Sequence, residues 1–158
     1  MLTDILTDEE IEEIKEELSH YDQRQAAGIE ALRIVQRHRG YVSDEALSAI
    51  AALLGLSTAD LDAVATFYNL VYRKPVGRHV VLACNSISCW LLGADGVRGH
   101  LSRTLGVDVG GTTPDGRFTL LPIVCLGACD HGPTMMVDGD LHGDLDPARI
   151  DAILKKYK

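Results

Sequence analysis

The stretch VVLACNSISCW, residues Val80–Trp90, decides the fold of the C-terminal half of the chain. It opens with a β-branched apolar run that is typical of a buried strand, and Cys84 and Cys89 follow at the end of that run. The other two cysteines of the chain, Cys125 and Cys129, form a second pair in the stretch VCLGACD. The sequence therefore predicts two turn-rich loops, each with two thiols, that the fold brings together.

The composition places the chain among ordinary globular proteins. Of its 158 residues 46% are hydrophobic and 24% are charged, which excludes disordered and fibrous classes. The formal net charge of −8 disfavours attraction to nucleic-acid phosphates or to anionic lipids. We therefore expect no nucleic-acid partner.

The sequence contains no apolar run near the ~20 residues that a membrane-spanning helix needs. The first residues, MLTDILTDEEIEEIKEEL, are acidic, whereas a secretory signal would begin with basic residues. We therefore expect a cytoplasmic protein without direct membrane insertion. Because that compartment keeps thiols reduced, clustered cysteines there indicate metal binding or redox chemistry.

Residues 1–76 read as a helical region with a start signal before each helix. Apolar residues recur at helical spacing between these signals, and the joints between helices are short, which predicts a small bundle. The predicted helix starts are Thr7 with Glu10 as a capping box, Asp22 with Gln25, Ser43, and Ser57 with Asp60, and the predicted ends include Gly40 and Gly55.

The stretch RKPVGRH, Arg73–His79, breaks the helical pattern and places a domain boundary near residue 76. Residues 77–158 then read as β-α-β-β-α. The segment DGDLHGD, residues 138–144, reads as a turn because it lacks the full frame of a calcium-binding loop. The signals for the two helices are Val97, Leu101 and Leu105 at helical spacing before Gly106, and Asp146 with Pro147 as a cap.

The four cysteines are the candidate ligands of one metal centre. Their C-x4-C and C-x3-C spacing fits either zinc or a [2Fe-2S] cluster, and the wider first loop favours the cluster. Thioredoxin-type disulfide chemistry would need C-x-x-C, which neither pair has. Gly127 is small enough to let a backbone N–H group approach a sulfur atom. His131 is a weaker candidate for a Rieske-like ligand, because four cysteines already fill the site.

No set of catalytic residues emerges from the sequence. It contains no G-x-G-x-x-G after a strand, no P-loop and no G-x-S-x-G nucleophile context. Trp90, next to Cys89, is a candidate to shield a cluster from water or to act as a core aromatic residue. We therefore expect a protein that carries electrons and does not bind the organic substrate.

Beyond the cysteine spacing, several longer stretches carry a family resemblance. These stretches are VATFY (Val64–Tyr68), PVGRHVV (Pro75–Val81), TPDGRFTLLP (Thr113–Pro122) and CLGACDHGPTMMVD (Cys125–Asp138). With them, the sequence from about Asp22 to the C-terminus resembles the peripheral-arm [2Fe-2S] subunits of bacterial NADH:quinone oxidoreductase, respiratory complex I.

The resemblance implies an α+β protein with an N-terminal helical bundle, residues 1–76, followed by a thioredoxin-like [2Fe-2S] ferredoxin domain, residues 77–158. It implies one [2Fe-2S] cluster, with Cys84 and Cys89 on one iron and Cys125 and Cys129 on the other. It further implies electron exchange with FMN, which is held only by a neighbouring NADH-binding subunit. The adjacent large iron-sulfur subunit is a second implied partner.

By the same resemblance, the protein is a subunit of an oxidoreductase and translocase complex and has no catalytic residues of its own. It would lie in the cytoplasm, peripherally on the cytoplasmic side of the inner membrane as part of the complex. Related proteins with this cysteine pattern serve soluble NAD-linked hydrogenases and formate dehydrogenases, which leaves the parent complex open. A free-standing [2Fe-2S] ferredoxin is the third alternative, and the helical half argues against it.

Overall fold

The structure, a computed structural model, describes residues 5–158 of the chain. The first four residues of the predicted helical region, and with them the start of the acidic N-terminal segment, lie outside the described residues. The chain divides into two compact units between Pro75 and Val76. The first unit is helical, and the second combines helices with one four-stranded sheet. The predicted α+β class is confirmed.

The first unit begins with a capped helix and continues through three more. Its elements are α1 (Asp8–Leu18), a 3-10 turn (Arg24–Ala27), α2 (Gly28–Arg39), α3 (Asp44–Leu54) and α4 (Thr58–Phe67). Thr7 and Glu10 form the predicted capping box. The side chains of Ser43 and Ser57 each accept a backbone N–H as predicted, and Gly40 and Gly55 end their helices in the left-handed conformation.

The predicted start of the second helix at Asp22 with Gln25 is wrong. The backbone first forms the 3-10 turn Arg24–Ala27, and α2 begins only at Gly28. Ala27 already has helical dihedral angles, with φ −76° and ψ −8°. An N-cap residue normally has an extended backbone, and its side chain accepts a backbone N–H. Ala27, the N-cap of α2, has neither feature, so no side chain caps this helix.

The core of the first unit is built from the apolar faces of its helices. Ile11 and Ile14 of α1 are buried as the spacing predicts, and α3 buries much of its length. Glu10 is the one charged residue among the buried residues of the described chain, and Arg39 binds its carboxylate, with 2.6 Å between Nε and Oε1. Other members of this core are Leu32, Val35, Leu47, Ile50, Leu54 and Leu61.

The second unit is a mixed sheet with the strand order β2-β1-β3-β4. The first two strands are parallel, and both later pairings are antiparallel. Its elements are β1 (His79–Cys84), α5 (Ile87–Leu91), α6 (Ala94–Leu105), β2 (Phe118–Ile123), a 3-10 turn (Cys129–His131), β3 (Met135–Val137), β4 (Asp140–His142) and α7 (Pro147–Leu154).

This order corrects the predicted β-α-β-β-α pattern at two places. The short helix α5 was not predicted, and the segment predicted as one turn, residues 138–144, contains strand β4. Only Asp138 and Gly139 form the turn, with φ angles of 52° and 102°. The other two predictions for this unit are confirmed: Gly106 ends α6, and Asp146 caps α7 ahead of Pro147.

One face of the sheet carries the core of the second unit. Val81 and Ala83 of β1 belong to this core, whereas Cys84 points to the opposite face because strand residues alternate. Helices α6 and α7 complete the same core with Val97, Leu101, Ile150, Ile153 and Leu154.

Within residues 5–158, no single helix combines the length and the apolar character needed to cross a membrane. Helices α3 and α4 meet that test only as a pair, bent by 118° at the break between them. The apolar side chains of α3 are largely buried in the core of the first unit.

Candidate redox site

The site lies where the parallel strands β1 and β2 end. Cys84, the last residue of β1, pairs in register with Ile123, the last residue of β2. The N–H of Asn85 donates to the carbonyl oxygen of Ile123 at 2.9 Å, and the N–H of Cys84 donates to that of Thr134 at 3.1 Å. Because parallel strands end at the same edge, the two cysteine loops begin side by side.

The first thiol pair is buried. Cys84 and Cys89 each expose only 2% of their surface. Cys89 lies in α5, and its Sγ is 3.5 Å from Oγ1 of Thr134. The Sγ of Cys84 is 3.6 Å from the carbonyl oxygen of Val124. The fold therefore holds this pair in place from the strand, the helix and the second loop.

The two buried thiols differ in acidity. Burial raises the pKa of the Cys84 thiol, and the neighbouring Cys89 raises it further. Burial also opposes ionisation of Cys89, but hydrogen bonds with Thr134 and Cys84 lower the pKa of its thiol. Since the two thiols interact, their two ionisation steps belong to the pair and not to either thiol alone.

The second thiol pair is exposed. The Sγ atoms of Cys125 and Cys129 are 3.9 Å apart, and both residues are open to solvent. The N–H of Gly127, which has a φ of 76°, donates to the Sγ of Cys125 at 3.4 Å. The predicted approach of a backbone N–H group to a sulfur atom at Gly127 is therefore confirmed.

Two contacts link the thiol pairs. The Sγ of Cys84 is 3.6 Å from the carbonyl oxygen of Val124, and the backbone N–H of Leu126 works against the rise in the pKa of the Cys84 thiol, so the buried thiol lies beside the loop that contains Cys125. A Cβ atom added at Gly132 would lie 3.6 Å from both the Cys129 carbonyl oxygen and the Cys89 Sγ, so Gly132 brings the backbone of the second cysteine loop close to Cys89. Across residues 5–158, however, no three His, Cys, Asp or Glu side chains converge at metal-binding distance. The structure brings the sulfurs together as two adjoining pairs, and their joint ligand role stays a prediction.

The structure bears on two neighbours of the site for which the sequence left alternatives open. His131 points both ring nitrogens at carboxylates, with Nδ1 3.2 Å from Asp144 and Nε2 3.5 Å from Asp130, which gives no support to a Rieske-like role. Trp90 is 52% exposed and donates from Nε1 to Asp95, so it is not a core aromatic residue in this unit.

Two residues that contact the thiols were not recognised from the sequence. Thr134 lies beside the Sγ of Cys89, and Gly132 lies close to that sulfur and to the backbone of Cys129. The signal that could have revealed them is the stretch HGPT between the second cysteine pair and the apolar run of β3. A strand that pairs antiparallel with β1 must bring the residues before it to the end of β1.

The donor set fits an iron-sulfur cluster by its chemistry. The four thiols supply as many thiolate ligands as a [2Fe-2S] cluster needs. The N–H groups of Gly127 and Leu126 and the hydroxyl of Thr134 are positioned to stabilise negative charge on sulfur. Soft thiolate ligands are those that zinc and iron-sulfur clusters prefer.

Comparison with known proteins identifies the family. A family model described as "Thioredoxin-like [2Fe-2S] ferredoxin" matches residues 14–158. The E subunit of NADH-quinone oxidoreductase from Pseudomonas aeruginosa is 46% identical over 153 residues, which cover 97% of this chain and 92% of the relative. The E subunit of the same oxidoreductase from Escherichia coli strain K12 is 50% identical over 149 residues, which cover 94% of this chain and 90% of the relative.

A solved structure shows a related arrangement within a larger polypeptide. The NAD+-reducing [NiFe]-hydrogenase in the air-oxidized state matches 80% of this chain with a TM-score of 0.65 and 25% identity. The match spans only 22% of that hydrogenase polypeptide. A fold similar to that of this chain therefore occurs as one part of an NAD+-reducing [NiFe]-hydrogenase polypeptide.

Proposed function

Since the chain belongs to the thioredoxin-like [2Fe-2S] ferredoxin family and to the family of NADH-quinone oxidoreductase E subunits, we propose that it is the subunit that carries one [2Fe-2S] cluster in such a complex. In this role the protein exchanges electrons with FMN of the neighbouring NADH-binding subunit. Quinone reduction takes place in other subunits, and the protein needs no catalytic residues of its own.

The observation that carries this proposal is the pairing of thiols at the adjoining ends of β1 and β2. Cys84 and Cys89 would hold one iron, and Cys125 and Cys129 would hold the other. A bound [2Fe-2S] cluster supplies one-electron redox chemistry, which none of the side chains provides alone.

The surrounding residues adjust the site for accepting an electron. The hydrogen bond that Gly127 donates to the Sγ of Cys125 favours added negative charge, as does the Leu126 N–H near Cys84, and the Thr134 hydroxyl is placed to do the same at Cys89. Burial of Cys84 and Cys89 keeps water from one side of the site. The fold thereby positions the four cysteine sulfurs and excludes solvent from two of them, those of Cys84 and Cys89.

The partners follow from the same proposal. The sequence has no dinucleotide-binding fingerprint, so NADH and FMN must be held by another subunit, and the adjacent large iron-sulfur subunit is the second partner. Exposed apolar side chains lie next to the cysteines, as expected of a surface that another protein covers. They are Ile87, Leu91, Leu92 and Val124. The complex would place the protein on the cytoplasmic side of the inner membrane.

We also propose a division of labour along the chain. Residues 77–158 contain every cysteine and fold around the cluster, whereas residues 1–76 mainly serve assembly with the flavin-binding subunit. The capped helices and apolar core of the first unit support its being an ordered element in its own right.

The similarity to a NAD+-reducing [NiFe]-hydrogenase favours a second candidate, the equivalent diaphorase subunit of a soluble NAD-linked hydrogenase or formate dehydrogenase. The higher identities to the E subunits, 46% and 50%, favour the first candidate. A free-standing ferredoxin would need no helical unit. Isolation of the protein with its native partners and identification of those partners distinguishes the three.

An anaerobic reduction experiment tests the proposed role. NADH mixed with the cluster-loaded protein alone should leave its visible absorption unchanged, and addition of the flavin-binding subunit should bleach it. A Cys125→Ala variant mixed with the same flavoprotein is the control, and it should show no bleaching of a protein-bound cluster. Bleaching by NADH alone would reveal a nucleotide site in this protein, and no bleaching with the flavoprotein would contradict the electron exchange.

A further inference from the structure

We propose that Cys125 and Cys129 are a site of reversible thiol oxidation. In the cluster-free protein a small disulfide such as oxidised glutathione converts this pair to an intramolecular disulfide, whereas Cys84 and Cys89 stay reduced. The oxidation itself depends only on the geometry of the thiols. Its effect on cluster loading rests on the proposed function.

The first observation is the difference in exposure between the pairs. Cys125 and Cys129 are exposed, and their sulfurs are 3.9 Å apart. Cys84 and Cys89 each expose 2% of their surface. A reagent in solution therefore reaches the second pair and does not reach the first, because reaction of a thiol requires access to its sulfur.

Specific groups close the space around the buried pair. A Cβ atom added at Gly132 would lie 2.7 Å from Cδ1 of Leu92 and 3.6 Å from Sγ of Cys89. Leu92 and the backbone of Gly132 therefore lie close together beside Cys89, which exposes 2% of its surface. Thr134 contacts Cys89 from a further side, at 3.5 Å.

The second observation is that the exposed pair can form a bond with a small movement. A disulfide joins its sulfurs at about 2 Å, so the two Sγ atoms must approach each other by roughly 2 Å. They lie four residues apart in a loop that turns through Gly127, whose φ is 76°. The neighbouring Val124 is 66% exposed, so its side chain does not anchor the start of this loop in the hydrophobic core.

The reaction is a balanced thiol-disulfide exchange. The sulfur of one cysteine loses its proton and attacks oxidised glutathione, which forms a mixed disulfide and releases one glutathione thiolate. The second cysteine loses its proton and attacks the mixed disulfide, which forms the Cys125–Cys129 bond and releases the second thiolate. Two electrons pass from the cysteines to oxidised glutathione, and the two protons convert the thiolates to glutathione.

The consequence for loading follows from the ligand count. The disulfide removes two of the four thiolates that would hold the cluster, so the oxidised protein takes up no cluster until a reductant restores the thiols. The exposed pair would then act as a gate on assembly that responds to the thiol redox state of the surroundings.

Trypsin places each cysteine pair on its own peptide, which makes the test direct. Cleavage after Arg78 and Arg98 gives peptide 79–98 with Cys84 and Cys89, and cleavage after Arg117 and Arg149 gives peptide 118–149 with Cys125 and Cys129. The full-length, metal-free protein is reduced, treated anaerobically with oxidised glutathione, and blocked with an alkylating reagent. Digestion and mass spectrometry follow.

We expect peptide 118–149 to lose about 2 Da relative to its dithiol form and to carry no alkyl group, as an internal disulfide requires. Peptide 79–98 should retain two thiols that react only when the alkylating reagent is added to unfolded protein. A disulfide within peptide 79–98, a link between the peptides, or glutathione left on peptide 118–149 without an internal bond would overturn the proposal.

Two variants sharpen the result. Cys129→Ser should stop at the mixed disulfide and keep glutathione on Cys125, and Cys125→Ser should keep glutathione on Cys129. Iron and sulfide uptake by the oxidised protein, before and after reduction, tests the gate separately. Uptake without reduction would contradict the gate and the four-thiolate site, but the peptide masses would still decide the oxidation.

Discussion

Substitution of Gly143 by Ala tests whether the hairpin positions the turn that carries Cys129. Gly143 follows β4 directly, and the 3-10 turn Cys129–His131 lies against it. The backbone N–H of Asp144, the next residue, donates to the carbonyl oxygen of His131 at 2.6 Å. Gly143 is therefore the position where the two segments come closest.

The magnitude follows from the distances. An alanine Cβ at position 143 would lie 2.6 Å from the His131 Cβ and 2.7 Å from the His131 carbonyl oxygen. Carbon atoms pack at about 3.5–4.0 Å, so one segment must move by roughly 1 Å. Overpacking of this kind costs about 1–3 kcal/mol, and weakening of the Asp144 to His131 hydrogen bond adds about 1 kcal/mol. We expect the free energy of unfolding of the second unit to fall by about 2–4 kcal/mol.

The assay is urea unfolding of the reduced, metal-free protein, followed by the fluorescence of Trp90, the single tryptophan. With a slope of about 2 kcal/mol per molar urea, the midpoint should fall by about 1–2 M. The matched control is Gly96→Ala in α6, where an added Cβ meets nothing within 4 Å and should stabilise the helix by up to about 1 kcal/mol. An unchanged midpoint for Gly143→Ala, or an equal loss in both variants, would refute the reasoning.

The remaining predictions concern the first unit and the ligands. Burial alone would raise the pKa of Glu10, but hydrogen bonds from Arg39 and Thr7 hold it below its usual value. Its stabilising effect is therefore present above the unfolded pKa of about 4.3 and is lost as the pH falls through the lower folded pKa. Glu10→Gln should cost about 2 kcal/mol at pH 7 and less near pH 3, measured by circular dichroism in urea; equal losses at both pH values would argue against the ion pair. Cys125→Ala should abolish or badly destabilise cluster binding. The His131→Ala variant should keep two irons per protein molecule, as measured by metal analysis. Loss of iron from this variant would indicate that His131 is a ligand.

Local signals in the sequence predicted those features that depend on neighbouring residues. The caps at Ser43 and Ser57 and the Asp146-Pro147 start of α7 lie where the sequence placed them, because a cap involves only the next three residues. The start at Asp22 failed because the backbone forms the 3-10 turn Arg24–Ala27, a conformation that the capping pattern does not describe.

Short elements escaped prediction because other parts of the protein stabilise them. Strand β4 has three residues and exists through its pairing with β3, and α5 has five residues, too few to show helical periodicity. The contact of Thr134 with Cys89 likewise depends on the antiparallel pairing of β3 with β1. Spacing predicted the two thiol pairs, but only the fold shows that one pair is buried and the other exposed.

The most direct test of the central claim is the joint measurement of iron, acid-labile sulfide and zinc in the purified full-length protein. The four-thiolate account predicts two irons and two sulfides per molecule, with a visible spectrum and, after dithionite, an EPR signal from the reduced cluster. Cys84→Ala should lose both the iron and the signal. A colourless protein that contains one zinc and no sulfide would contradict the account.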